Sequence, residues 1–258
     1  MKQFVLVAFA VLVCLSSSTA RADAPAPYSL PWQLRPVAVV NVVRSDTAVA
    51  FYEDMAGNGG RTEASTLLLT YKLSPAFAPL LRLGAVYNAP PTGDSGSSFV
   101  NPIVGGTYLK KLGADLKVAA FLGLSVPIGM GGGDSPEATV AMANQAGVLA
   151  RSALDNAMFA VNYFTVFPGV GLAWVKGGLT VQAEATVLQL TLVRGEKNEK
   201  DSSRTNFTSG LHIGYFVTPQ LSLGAEVRYQ RWLSTPAAVE LDDAKRENVS
   251  FAVGPRFH

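Results

Sequence analysis

The segment Asp115 to Met130, DLKVAAFLGLSVPIGM, alternates without a break. Leu116, Val118, Ala120, Leu122, Leu124, Val126, Ile128 and Met130 take every second position, and Lys117, Ala119, Phe121, Gly123, Ser125, Pro127 and Gly129 fill the others. A side-chain period of two belongs to a β-strand, here with one apolar face and one mixed, partly charged face. The run exceeds the usual strand of about five or six residues and reaches the roughly 9 to 11 that a tilted strand needs to cross a bilayer. Apolar residues outward and polar residues inward along such strands mark the wall of a membrane barrel. The fold class expected is all-β: an up-and-down antiparallel transmembrane β-barrel.

The N-terminus bears on the compartment. Lys2, the apolar run Phe4 to Leu15 and the small, polar stretch Ser16 to Ala24 read as a secretory signal peptide. Cleavage after Ala22 or after Ala24 fits equally; the first divides the chain into a signal peptide, 1–22, and an outer-membrane barrel domain, 23–258. The apolar run is too short for a spanning anchor helix. Cys14, the sole cysteine, lies inside this run and follows Leu12-Val13, which does not suit lipoprotein processing. A mature chain without cysteine has neither disulfides nor thiolate metal sites.

Charge excludes further classes. There are 21 basic and 19 acidic residues, and without Lys2 and Arg21 each sign counts 19, so no basic field for nucleic acid exists. Mean hydropathy is +0.23, although the mature part has no apolar run of the ~18 residues a spanning helix needs. In lipid only helices and closed barrels satisfy every backbone group, and a barrel is what remains.

Along the chain, the Pro-rich lead Asp23 to Pro31 reads as a periplasmic extension. Strands are expected from near Gln33, extended through Tyr52, then at Thr62 to Leu73, Leu80 to Ala89, Phe99 to Lys111, Asp115 to Met130, Phe159 to Val175, Leu179 to Val193, Asn206 to Val217, from Leu221 through Gln230, and at Asn248 to Phe257. In the seventh, the apolar parity switches at Leu188, which suggests a β-bulge. Short turns at Ser74-Pro75, Leu112 to Ala114, Lys176 to Gly178 and Thr218-Pro219 alternate with longer connections. About ten strands with both termini on the short-turn side is the outer-membrane arrangement. Tyr71, Tyr108, Trp174 and Tyr215 each precede a short turn, as an interfacial aromatic girdle does. A soluble all-β sandwich would alternate too, but has no cause to place aromatics and turn lengths in this way.

With the signal peptide, the turns Tyr71-x-Leu73-Ser74-Pro75 and Tyr215-x-Val217-Thr218-Pro219 and the amphipathic strands in hand, the chain resembles a Gram-negative outer-membrane β-barrel protein. Asn101-Pro102-Ile103-Val104-Gly105-Gly106-Thr107-Tyr108, followed by Leu124-Ser125-Val126-Pro127-Ile128-Gly129, is similar to outer-membrane transporters of the phenol-degradation (meta-pathway) family. The resemblance covers residues 101–129 and implies the class, not the substrate. Such barrels end on an aromatic read by the barrel-assembly machinery, whereas Phe257 is followed by His258. Either a penultimate Phe serves, or the complete barrel has twelve strands.

One helix is expected in the long outer loop, Gly131 to Asn156: Asp134 or Ser135 as N-cap, Pro136 at the first position, Glu137 complementing the dipole, and an Ala-rich run to Leu154. Val140, Ala143, Gly147, Ala150 and Leu154 form a weak stripe. The helix either folds into the mouth as a constriction, with Glu137, Arg151 and Asp155 as candidates, or lies on the rim. Arg35, Arg82, Lys117, Glu184, Glu226, Arg228 and Arg256 have inward parity, as does His212 between Gly210 and Gly214. They line a water-filled selective lumen or interlock as an ion-pair core. A charge placed at Val118 or Leu223 should cost much more than one at Gly123 or Ser222.

No catalytic triad, metal set or nucleotide loop is supported: Gly129-Met130-Gly131-Gly132-Gly133-Asp134 lacks the third glycine and a following Lys. Neither enzyme activity nor a cofactor is expected. The expected function is an outer-membrane pore or transporter passing small-molecule solutes through a partly charged lumen. The alternative is a structural or ligand-binding barrel with a closed interior and functional outer loops. Expected partners are outer-membrane lipid, the barrel-assembly machinery acting on the C-terminal strand, and a solute, with no nucleic acid.

Overall fold

The computed structural model describes residues 9–11, 28–151, 155–196 and 201–257. Most of the segment read as a signal peptide, with its cleavage sites, lies outside the described residues, as do Leu154 and His258.

Alternating sequence becomes antiparallel sheet. A three-residue strand β1 (Phe9–Val11) is followed by β2 (Val42–Glu53), β3 (Gly59–Thr70), β4 (Phe77–Ala89), the short β5 (Gly96–Phe99), β6 (Ile103–Lys111) and β7 (Leu116–Ser125). Two helices, α1 (Ala138–Ala150) and α2 (Asn156–Phe159), precede β8 (Tyr163–Lys176), β9 (Leu179–Leu192), β10 (Ser203–Thr218) and β11 (Leu221–Trp232). The helix α3 (Ala237–Leu241) and a 3-10 turn lead to β12 (Glu247–Phe257). Ten long strands, β2, β3, β4 and β6 to β12, pair in sequence order; β5 pairs β4 and β1 pairs β2 at Thr47–Val49. The pairing path is open, since no register joins β2 to β12 among the described residues.

The two faces are inverted relative to a water-soluble sheet. On β10, Leu211, Ile213 and Tyr215 are exposed while Asn206, Thr208 and His212 are buried. The four aromatics that precede the short turns, Tyr71, Tyr108, Trp174 and Tyr215, are all exposed. The sheet is curled, because inward residues of β4, β6, β8, β9, β10 and β11 line one cavity.

Several boundaries differ from the sequence reading. The segment 33–41 is not a wall strand, for β2 begins at Val42. The fourth expected strand is two, β5 and β6, separated by Val100 to Pro102, and β7 stops at Ser125 instead of Met130. Phe159 belongs to α2, not to β8. No bulge occurs at Leu188: β9 alternates along its length and keeps register with β8 and β10. What changes there is the interior. Thr180, Gln182, Glu184 and Thr186 face polar groups, whereas Leu188 and Leu190 face an apolar core.

That core is made by the helical insert. Met158 and Phe159 of α2 and Ala143 and Ala150 of α1 pack on inward residues Ala50, Ala64, Val86, Ile103, Phe167 and Leu190. A Cβ at Gly147 would meet Val86 and Phe159 at 2.7 and 2.6 Å, so glycine there sets how closely α1 approaches the wall. The insert therefore packs on the inward face of the curled sheet. Glu137 is its N-cap but makes no side-chain capping bond. Asn101 of the Asn-Pro motif anchors it: its backbone N–H donates to the Met158 carbonyl at 2.9 Å, its side chain donates to the Ala160 carbonyl at 2.9 Å, and it accepts from the Gly129 N–H at 2.9 Å.

Candidate functional site: a filled interior

The lead Tyr28 to Asn41 enters the interior from the short-turn end. Backbone donors buried away from water must find acceptors, and the inward faces of β9 and β11 supply them. The Ser29 N–H donates to Thr180 Oγ1 at 3.0 Å, the Gln33 N–H to Glu226 Oε2 at 2.7 Å and the Arg35 N–H to Glu184 Oε2 at 2.8 Å. Trp32 N–H also donates to Glu226, and the Tyr28 hydroxyl to Gln182. Gln182 Nε2 returns a bond to the Arg35 carbonyl at 2.6 Å. The chain turns near Arg35, and Val37 passes back beside Gly171 of β8. Near the turn end again, Asn41 Oδ1 accepts from the Lys72 N–H at 2.7 Å.

Small inward residues make the trough that holds this lead. A Cβ at Gly214 would collide with Ser29, and one at Gly210 would sit 2.9 Å from Leu34. His212 lies between them, its Nε2 3.0 Å from the Ser29 carbonyl oxygen and its Nδ1 3.1 Å from Glu226 Oε1. Arg256 donates to the carbonyls of Leu30 and Pro31. Lys117 has its ammonium 5.7 Å from the centre of the Tyr28 ring. Burial pushes the Tyr28 phenol upward, which keeps it a donor.

The lead fills the short-turn half and the insert the other half. Between them is a cavity of about 70 Å3, whose charged lining is Arg35, Arg82, Arg228, Asp155 and Glu184. Asp155 takes Arg82 at 2.6 Å and Arg151 at 2.8 Å. Burial works against its ionisation, but the two guanidiniums outweigh that and hold the Asp155 carboxyl well below the usual carboxylate range. Glu184 faces the Arg35 guanidinium at 3.8 Å, and that guanidinium also lies 4.2 Å from the Phe121 ring centre.

The structure thus brings Arg35, Arg82, Glu184, Arg228, Arg151 and Asp155 together, and sets His212, Glu226 and Arg256 along the lead. Glu137 stands apart, exposed, its carboxylate accepting from the Thr139 hydroxyl and its carbonyl from the Ala141 N–H. Arg35 works from the lead, not from a wall strand. Sequence reasoning missed Tyr28, Ser29, Trp32 and Gln33 as interior residues. The available signal was a surplus of inward acceptors, Thr180, Gln182, Glu184 and Glu226, each needing a donor. Gly123 and Ser222 are likewise not open lumen positions: a Cβ on Gly123 would strike Phe167, and Ser222 packs on Ser29. No family model, curated protein or solved structure matches the chain.

Proposed function

We propose that the protein is an outer-membrane β-barrel, closed by β2 against β12, that passes small solutes when its N-terminal lead leaves the interior. The inverted burial carries the membrane assignment. Exposed Val170, Leu172, Leu211, Ile213, Leu223 and Val253 match a lipid-facing band, while Thr, Gln, Glu and His side chains fill the inside. Open strand edges are not tolerated in lipid, which favours closure of the two terminal strands once the N-terminal segment carrying β1 is removed.

Gating by the lead follows from the chemistry of its contacts. Its bonds to Thr180, Gln182, Glu184 and Glu226 are ones that water can replace at modest net cost, and its apolar anchorage is the small cluster of Val37 with Ala119, Ala173 and Val175 together with buried Leu34. The insert is held by a larger apolar core around Met158 and carries the electrostatic anchor Asp155. That apolar core favours a second reading, a permanently closed structural barrel whose outer loops do the work.

Ion conductance of the refolded mature chain in a planar bilayer, compared with Glu184→Gln/Glu226→Gln, separates the two. Loosening the lead should turn a largely silent barrel into one with discrete current steps. Equal silence from both proteins, each folded and inserted, would leave the structural reading.

A further inference from the structure

We propose that the cavity between the lead and the insert is a binding site for one small oxyanion, of the phosphate, sulfate or short-carboxylate class, with Arg228 as its principal ligand. Arg228 lines the cavity from β11, and among the described residues its guanidinium has neither a hydrogen bond nor an ion pair. Its Nε is buried without a partner, and so is the Nε of Arg82, another lining residue. Two unpaired N–H donors on residues that line one polar cavity ask for an acceptor that the protein does not provide.

Charge argues the same way. Four cations, Arg35, Arg82, Arg151 and Arg228, crowd this region against three carboxylates, none of which makes a direct ion pair with Arg228, although its charge and that of Asp155 act on each other. Asp155 is shared by Arg82 and Arg151, and Glu184 takes the backbone and guanidinium of Arg35. Glu226, two residues from Arg228 on the same face, accepts from the Trp32 and Gln33 N–H groups and lies 3.1 Å from His212 Nδ1. Burial draws the Arg35 guanidinium below its ordinary value; Glu184 opposes this, and the charges of Arg228 and Arg82 add to the fall. Arg228 is half-buried with its Nε unpaired, and an anion among these guanidiniums supplies the charge-assisted bond that this N–H lacks.

Size selects a small ligand. About 70 Å3 is several times the space one water takes, enough for a single small oxyanion and too little for an aromatic acid. The lining Thr186 and Thr208 place two hydroxyls at the same cavity. Because Arg35 belongs to the lead, the site is complete only while the lead is seated, so the anion and the closed state favour each other. As a binding site this stands by itself; as an identification of cargo it rests on the solute-passing reading above.

The test is calorimetric titration of inorganic phosphate, and separately sulfate, into the refolded mature chain in a low-chloride, non-anionic detergent, with thermal unfolding followed in parallel. One equivalent should bind, and the unfolding temperature should rise to a plateau. Arg228→Met should bind at least about tenfold more weakly, since hydrogen bonds to a charged group are worth more than one decade of affinity, while folding as well as the parent. Arg228→Lys should bind at an intermediate level. Absence of a saturating response in the parent, or an unchanged affinity in Arg228→Met, would overturn the site and show that waters fill the cavity. Saturable binding to the parent, with the Glu184→Gln/Glu226→Gln protein still electrically silent, would support the site and count against transport alone.

Discussion

Arg82 Nη1 and Asp155 Oδ1 lie 2.6 Å apart across 73 residues of sequence, tying the helical insert to the wall strand β4. Arg151 binds the other carboxylate oxygen, so the insert reaches the centre of the interior as a three-residue ionic cluster. Breaking one partner of a buried cluster strands charge, which is more damaging than removing the cluster as a whole.

Asp155→Asn should therefore cost about 3 to 5 kcal/mol, read as a fall in the urea midpoint of the refolded protein. Replacing Arg82, Arg151 and Asp155 together by Met, Met and Leu should cost less than that single change.

The same residue gives a pH dependence of stated sign. Asp155 is held below its ordinary value, so its contribution to stability is fully present above the unfolded carboxylate value of about 3.9 and drains away as pH falls below it. Acid titration of the urea midpoint should show the parent converging on Asp155→Asn at low pH. A constant gap between the two proteins across the acid range would contradict this.

Met158 is fully buried between the insert and the wall. Met158→Ala should destabilise by about 2 to 5 kcal/mol without opening a path past the lead, a combination checked by pairing unfolding curves with conductance.

The outward face makes the sharpest distinction between a lipid and a water environment. Leu211 is 40% exposed near the middle of β10, and Met55 is fully exposed in the β2–β3 connection. In a lipid-facing band Leu211→Arg should cost roughly 2 to 4 kcal/mol, and Met55→Arg roughly 0 to 1. In water the first substitution would be harmless or helpful, and refolding titrations into vesicles decide between the cases.

The strands and their turns were legible because alternation and breaker residues are local signals. Leu116 to Ser125, Leu179 to Leu192 and the Tyr-x-[Leu/Val]-[Ser/Thr]-Pro turns fell near where they were expected. The interior was less legible, because what an inward side chain meets is set by distant sequence. Val37 and Val39 resemble a wall strand, yet Val37 packs inside the sheet, its N–H beside the side chain of Gln182, 145 residues away. Leu188 looked like a change of register and is instead a change of neighbour, from lead to insert. Glu184, Glu226 and Arg256 are buried on the strand face that alternation gives them, but Arg35 lies on the lead, and the donors to Glu184 and Glu226 are backbone N–H groups of residues 32–35, which alternation alone puts at the start of a strand.

The lead's place in the interior is tested most directly by a lock. Ser29 Oγ and Ser222 Oγ are 3.3 Å apart, and the described residues contain no cysteine, so Ser29→Cys/Ser222→Cys introduces a single pair suited to a disulfide. In the Glu184→Gln/Glu226→Gln background, the oxidised barrel should be silent in a planar bilayer and should gain discrete current steps when reductant is added. Failure of the pair to cross-link in the folded barrel, or steps that persist with the cross-link in place, would contradict the account.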